Sequence, residues 1–134
     1  MLEDAAEMGL KVVRTWGNLD AGVKTDKVSD KGYTVFTDNV DGSGEKEGVY
    51  YQYFDADLGR PVVNEGEDGL QKLDYALYKA EQEGIKLLIT FTNNWEAFGG
   101  MGQYVQWAKL AGENVSGHDD FYTNETIKGW YKDY

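Results

Sequence analysis

Apolar positions along the chain fall into two segments that echo each other. Glu7-Met8-Gly9-Leu10-Lys11-Val12-Val13-Arg14-Thr15-Trp16 is answered by Glu81-Gln82-Glu83-Gly84-Ile85-Lys86-Leu87-Leu88-Ile89-Thr90-Phe91. In each, an acidic helix-like stretch leads through Gly, one apolar residue and Lys into a run rich in Val, Ile and Leu. The Gly stands where a helix needs a left-handed terminating residue, and the run reads as a strand buried on both faces. Strands are therefore expected near 11–16 and 85–92. A helix–Gly–strand unit used twice is the grammar of a parallel α/β protein.

Between the echoes, Leu70, Leu73, Ala76, Leu77 and Ala80 recur at three- and four-residue spacing and predict a helix with one apolar stripe. Glu67 and Asp68 would place negative charge at its amino end, and Gly84 would close it. The connection from the first strand to this helix, residues 17–65, reads as a long loop. It contains short alternating runs at Tyr33-Thr34-Val35-Phe36 and Val49-Tyr50-Tyr51-Gln52-Tyr53-Phe54 around a Gly- and acid-rich middle. A connection that long is usually functional. After the second strand, a short helix is expected near 101–111 and another opening near Thr123, with Ile127, Trp130, Tyr131 and Tyr134 on one face. That last helix meets no stop signal, and Leu2, Ala5, Ala6 and Met8 read as the final turns of a helix without an N-cap. The expectation is a piece of something larger; the alternative is a small α/β domain with frayed terminal helices.

Charge narrows the partners. Asp and Glu total 24 against 13 Lys and Arg, for a net charge of −11. Nucleic acid and anionic membrane surfaces both need a basic patch, so neither is expected as a partner. Cysteine is absent, which excludes disulfide scaffolds and thiol chemistry. No apolar run approaches the roughly 20 residues of a membrane span. The 10 Tyr, 5 Phe and 4 Trp, with 17 Gly, suit a surface that stacks on neutral polar ligands such as sugars.

Candidate chemistry gathers at the strand ends, where parallel α/β proteins build their sites. Val12, Arg14 and Trp16 share one face of the first strand. A strand-end Arg can hold a carboxylate in its charged form, and an indole can stack on a ligand; the alternatives are a structural ion pair and a core indole. Asn93, Asn94 and Trp95 occupy the same place on the second strand. Their amides can donate to and accept from hydroxyls, although Asn also favours turns. Glu96, Asp119 and Asp120 show no spacing that predicts a carboxylate pair. The lone His118 has neither a nucleophile nor fellow metal ligands and reads as a loop brace. Asp38-Asn39-Val40-Asp41-Gly42-Ser43-Gly44-Glu45 places its oxygens wrongly for an EF-hand and reads as a solvated turn. Gly99-Gly100-Met101-Gly102 lacks the Lys-Ser/Thr of a phosphate loop.

Taken in order, several motifs resemble those of the endo-β-1,4-mannanases of glycoside hydrolase family 5. They are Arg14-Thr15-Trp16-Gly17, Glu67-Asp68-Gly69-Leu70-Gln71-Lys72-Leu73-Asp74-Tyr75 and Gly84-Ile85-Lys86-Leu87, then Asn93-Asn94-Trp95 with Phe98-Gly99-Gly100-Met101. His118-Asp119-Asp120-Phe121-Tyr122, followed by Ile127-Lys128 and Trp130-Tyr131-Lys132, completes the series. The resemblance leaves out only about residues 18–60. It implies a portion of a (β/α)8 TIM barrel with parallel strands, in a secreted enzyme that cleaves mannan or glucomannan internally with retention, using two glutamates and no cofactor. A whole barrel needs about 250 residues, so this chain would supply the second and third βα units, with parts of the flanking helices. The remainder of the barrel is then a required partner, in the same or a separate chain. By the same resemblance, Arg14 supports the nucleophilic carboxylate, and Trp16, Asn93, Asn94 and Trp95 line the sugar cleft. The acid/base Glu of an Asn-Glu pair and the nucleophile lie on later strands; Asn64-Glu65 precedes a helix here and Asn124-Glu125 opens one. The chain alone would therefore cleave nothing. Asn18 stands where an aromatic often follows, and the acidic loop 38–48 is atypical. Two other readings stay open: a non-catalytic carbohydrate-binding module, and the same barrel acting on a β-glucan.

Overall fold

Gly9 and Gly84 both adopt a left-handed backbone, at φ 80° and 64°. In the computed structural model, which describes residues 1–134, each follows a helix: α1 (Leu2–Glu7) and α2 (Leu70–Gln82). The chain then enters β1 (Val12–Trp16) and, after the long connection and α2, β6 (Lys86–Thr90). These two strands pair in parallel, with Arg14 opposite Leu88 and Trp16 opposite Thr90. The expectation of parallel α/β units holds.

One face of this pair is covered. Ala5, Ala80 and Ile85 form a small buried cluster with Val13 and Leu87 packed against it, so α1 and α2 lie on the outward side of β1 and β6. The other face is open. Val12 is 57% exposed and Leu88 58%. The expectation that both strands are buried on both faces is thus corrected: no element of this chain lies over the side that carries Val12, Arg14 and Trp16. The apolar stripe of α2 is also partial, for Ala80 is buried whereas Leu77 is exposed. Glu67 and Asp68 precede the helix, which starts at Leu70.

The connection over 17–65 is not the irregular loop that its composition suggests. It holds β2 (Asp20–Val28), β3 (Thr34–Thr37), β4 (Gln52–Asp55) and β5 (Arg60–Val63). They form a second sheet in the order β3-β2-β4-β5, antiparallel at its two outer pairings and parallel between β2 and β4. The β2 pairings shift register on both sides, and such bulges blur the alternation by which strands are recognised. Helix α3 (Gly100–Leu110) packs this sheet against α4 (Asp120–Thr123) and α5 (Glu125–Asp133).

The main core sits there. Phe54, Tyr104, Val105, Trp107, Ala108, Phe121 and Ile127 are buried together. Tyr104 meets Trp107 and Phe121 edge-on, with ring centroids 4.8 and 5.5 Å apart, as the aromatic quadrupole prefers. The fully buried Trp107 donates its indole N–H to the Ala21 carbonyl at 3.0 Å, fastening α3 to β2. Trp107→Ala should destabilise the fold by about 3–5 kcal/mol through the cavity and the orphaned carbonyl, read as a lowered urea midpoint. Helix α5 starts as its sequence indicates: the Asn124 side chain caps it by accepting from the Ile127 N–H at 3.0 Å.

Candidate functional site

The carboxyl ends of β1 and β6 lie at the same end of their parallel pair, and the residues that follow them fold onto each other. Trp16 is 41% exposed on the open face, and its ring lies 5.6 Å from that of Phe98. The Arg14 guanidinium carbon stands 5.8 Å from the Trp16 ring centroid, an arrangement in which the cation meets the negative face of the indole. Arg14 is exposed and has no carboxylate partner within this chain. Within this chain, then, Arg14 forms no structural ion pair, and Trp16 is not a core indole.

The loop after β6 divides its work. Asn94 is exposed and Trp95 is 76% exposed. Asn93 is buried, and both ends of its amide are engaged locally: Nδ2 donates to the Ala97 carbonyl at 2.9 Å and Oδ1 accepts from the Trp95 N–H at 3.1 Å. Its side chain builds the turn that presents Trp95, so its amide is used within the loop itself. The physical reason is the ordinary one for Asn, which closes its own turn two residues on. His118 braces the same loop. Its Nε2 lies 3.0 Å from the Asn94 carbonyl and its Nδ1 lies 3.2 Å from Asp119.

Residues 98–100 all have positive φ, at 61°, 84° and 56°. Glycine at 99 and 100 follows from crowding as well as conformation. A Cβ at Gly99 would stand 2.2 Å from the Asp20 carbonyl, and one at Gly100 would stand 2.3 Å from the Asn93 carbonyl. The motif that could be mistaken for a phosphate loop is a tight crossing between the two strand ends. At its centre, the Phe98 carbonyl accepts from the Asp20 N–H at 3.0 Å and from Asn18 Nδ2 at 3.2 Å.

Beneath this crossing lies a polar group that nothing in the sequence singles out. Asp20 is fully buried, and burial pushes its carboxyl up to about 8 despite the Gln52 amide donating to Oδ1 at 2.8 Å. Gln52 also donates to the Tyr104 hydroxyl at 2.9 Å, linking β2, β4 and α3. Asp20 Oδ2 and Asn18 Oδ1 have no hydrogen-bond partner. Desolvation is the main reason that the neutral acid is favoured, and it outweighs the hydrogen bonds from Gln52 and its other neighbours, which favour the charged form.

Asp120 holds its own loop. Asp120 accepts from the Ser116 and Gly117 N–H groups at 2.6 and 2.9 Å, and these donors hold its carboxyl below the usual range. No group of three or more His, Cys, Asp or Glu is arranged to hold a metal ion. No helix is long and apolar enough to cross a membrane.

Comparison with known proteins gives this geometry a setting. No protein-family model matches the chain. Mannan endo-1,4-beta-mannosidase 3 of Arabidopsis thaliana is 36% identical over 134 residues, all of this chain and 25% of its own length. The solved endo-1,4-beta-mannanase of Rhizomucor miehei is 33% identical at a TM-score of 0.71, over 99% of this chain and 29% of that one. The endo-beta-1,4-mannanase of Thermotoga petrophila is 36% identical at a TM-score of 0.69, over 98% of this chain and 23% of that one. The chain matches a stretch of the endo-1,4-β-mannanases. It spans about a quarter of the length of the curated relatives it matches. Its mannanase likeness covers residues 18–60 as well, where the sequence motifs were silent, because the match runs the length of the chain.

Proposed function

We propose that this chain is part of a retaining endo-β-1,4-mannanase of glycoside hydrolase family 5 and forms the second and third βα units of its (β/α)8 barrel. The observation that carries this reading is the open inner face of the parallel β1–β6 pair, with an unpartnered Arg14 at its carboxyl end. In such a barrel the remaining strands cover Val12 and Leu88, and later strands bring the two glutamates. Retention requires those carboxyls about 5–5.5 Å apart, one protonated to release the leaving oxygen and one ionised to attack the sugar carbon. Arg14 favours the ionised form of the nucleophile by its charge and donors. Trp16 and Trp95 offer stacking surfaces to the mannan backbone, and Asn94 offers an amide to its hydroxyls. The chain supplies these cleft residues and neither glutamate. Since a polysaccharide cannot cross a membrane intact, the reading carries an extracellular location.

The test is hydrolysis of mannan, glucomannan and cellulose by the full-length protein and by residues 1–134 alone. The expected result is internal cleavage of mannan and glucomannan by the full-length protein only. Preference for cellulose would move the substrate to a β-glucan, and cleavage by the isolated segment would overturn the division of roles. The segment alone is expected to self-associate in size-exclusion chromatography through its uncovered strand face. A monodisperse monomer that unfolds cooperatively would favour a free-standing binding module instead.

A further inference from the structure

We propose that Asp41, on the acidic loop between β3 and β4, is a positioning residue for the aromatic floor made by Trp16 and Phe98. The loop is tied down along its length. Gln103 of α3 accepts from the Val40 N–H at 3.0 Å and donates to the Asp38 carbonyl at 3.1 Å. Asn39 donates to the Ser43 carbonyl at 2.7 Å. Asp41 then uses both carboxylate oxygens on main-chain donors: Oδ1 accepts from Ser43 N–H at 2.9 Å, and Oδ2 accepts from Phe98 N–H at 2.7 Å across 57 positions of sequence.

The second bond falls on a strained residue. Phe98 sits at φ 61°, a left-handed conformation that is unfavourable for a non-glycine residue. Its carbonyl is held from one side by Asp20 and Asn18, and its N–H from the other by Asp41. A carboxylate that accepts a main-chain N–H forms one of the stronger bonds available to hold such a backbone. What the strain secures is the direction of the Phe98 ring, 5.6 Å from Trp16. Asp41 thus acts on the cleft through Phe98 without facing the open strand face itself.

The consequence for substrate rests on the mannanase reading, whereas the clamp itself does not, and the experiment separates them. In the full-length protein, the Phe98 amide is expected to exchange slowly with deuterium, and Asp41→Asn should speed its exchange on the order of 10-fold. The same substitution should raise KM for mannan on the order of 10-fold, about 1.4 kcal/mol of lost binding, with kcat retained. Phe98→Gly relieves the strained φ and deletes the ring. It should raise KM alike, and adding Asp41→Asn to it should raise KM no further. A Phe98 amide that already exchanges like a free loop in the unaltered protein overturns the clamp. So does an Asp41→Asn variant that lowers kcat and melting temperature at constant KM, because that is the mark of general structural damage. Fast exchange without a change in KM overturns the link to the floor. If the unaltered protein does not cleave mannan, the functional reading fails, while release of the Phe98 amide by Asp41→Asn still supports the clamp.

Discussion

Arg14→Ala in the full-length protein is expected to lower kcat for mannan on the order of 10²-fold or more, the scale on which loss of one preorganised electrostatic contact is felt. The side chain has no hydrogen bond or ion pair within the chain and stands over the Trp16 ring at 5.8 Å. The loss belongs to the chemical step. Without the guanidinium, the nucleophilic carboxyl takes up its proton at higher pH, so the acidic limb of the kcat/KM profile should move to higher pH. Arg14→Lys keeps the charge but not the planar fork and should recover only part of the rate. An Arg14→Ala variant within a few-fold of the unaltered enzyme, with an unmoved acidic limb, would remove Arg14 from the machinery.

A second large effect is expected at Asp20, on stability instead of rate. Its folded carboxyl titrates near 8, against an ordinary value of 3.8. Between those values the folded state keeps a proton that the unfolded state has released. Stability is therefore full below the ordinary value and falls as pH rises towards 8, by at most roughly 1.4 kcal/mol per pH unit. Above that range, the buried carboxylate is charged in both states and the loss is complete. Asp20→Asn keeps the shape, keeps an acceptor for Gln52 and carries its own donor, without a titrating proton. Melting temperatures from pH 5 to 9 should decline in the parent and decline much less in Asp20→Asn. The variant should match the parent near pH 5 and exceed it near pH 9. Equal slopes for the two proteins would show that Asp20 does not keep its proton. Asp20→Ala orphans the Gln52 amide and should be less stable across the whole range.

The parts of the fold that were legible in the sequence are those whose local rules agree with their surroundings. Gly9 and Gly84 mark helix ends because only glycine takes that backbone at no steric loss, and the apolar runs after them pair in parallel as expected. The same runs misled about burial, since an apolar residue states what it prefers to contact and not whether the contact lies in the same chain; Val12 and Leu88 are the instances. The second sheet was hidden by bulges in β2 and by the glycines around β3 and β4. The strand-end position of Arg14 and Trp16 on one face could be read from the sequence alone. The turn-closing bonds of Asn93 could not, because an amide that binds a hydroxyl and one that closes a turn look alike in sequence. Asp20 and Asp41 were equally obscure, as acids in glycine-rich stretches that ordinarily mark solvated turns. Their partners, Gln52 and the Phe98 N–H, are 32 and 57 positions away.

The most direct test is the distance from the Arg14 guanidinium to a carboxylate in a crystal structure of the full-length protein. The account predicts a glutamate from a later strand within about 4 Å of it, the ordinary reach of an ion pair. A second glutamate should lie about 5–5.5 Å from the first, as a retaining glycosidase requires. A structure in which the β1–β6 face is covered but Arg14 meets no carboxylate, or in which that face stays open to solvent, would contradict it.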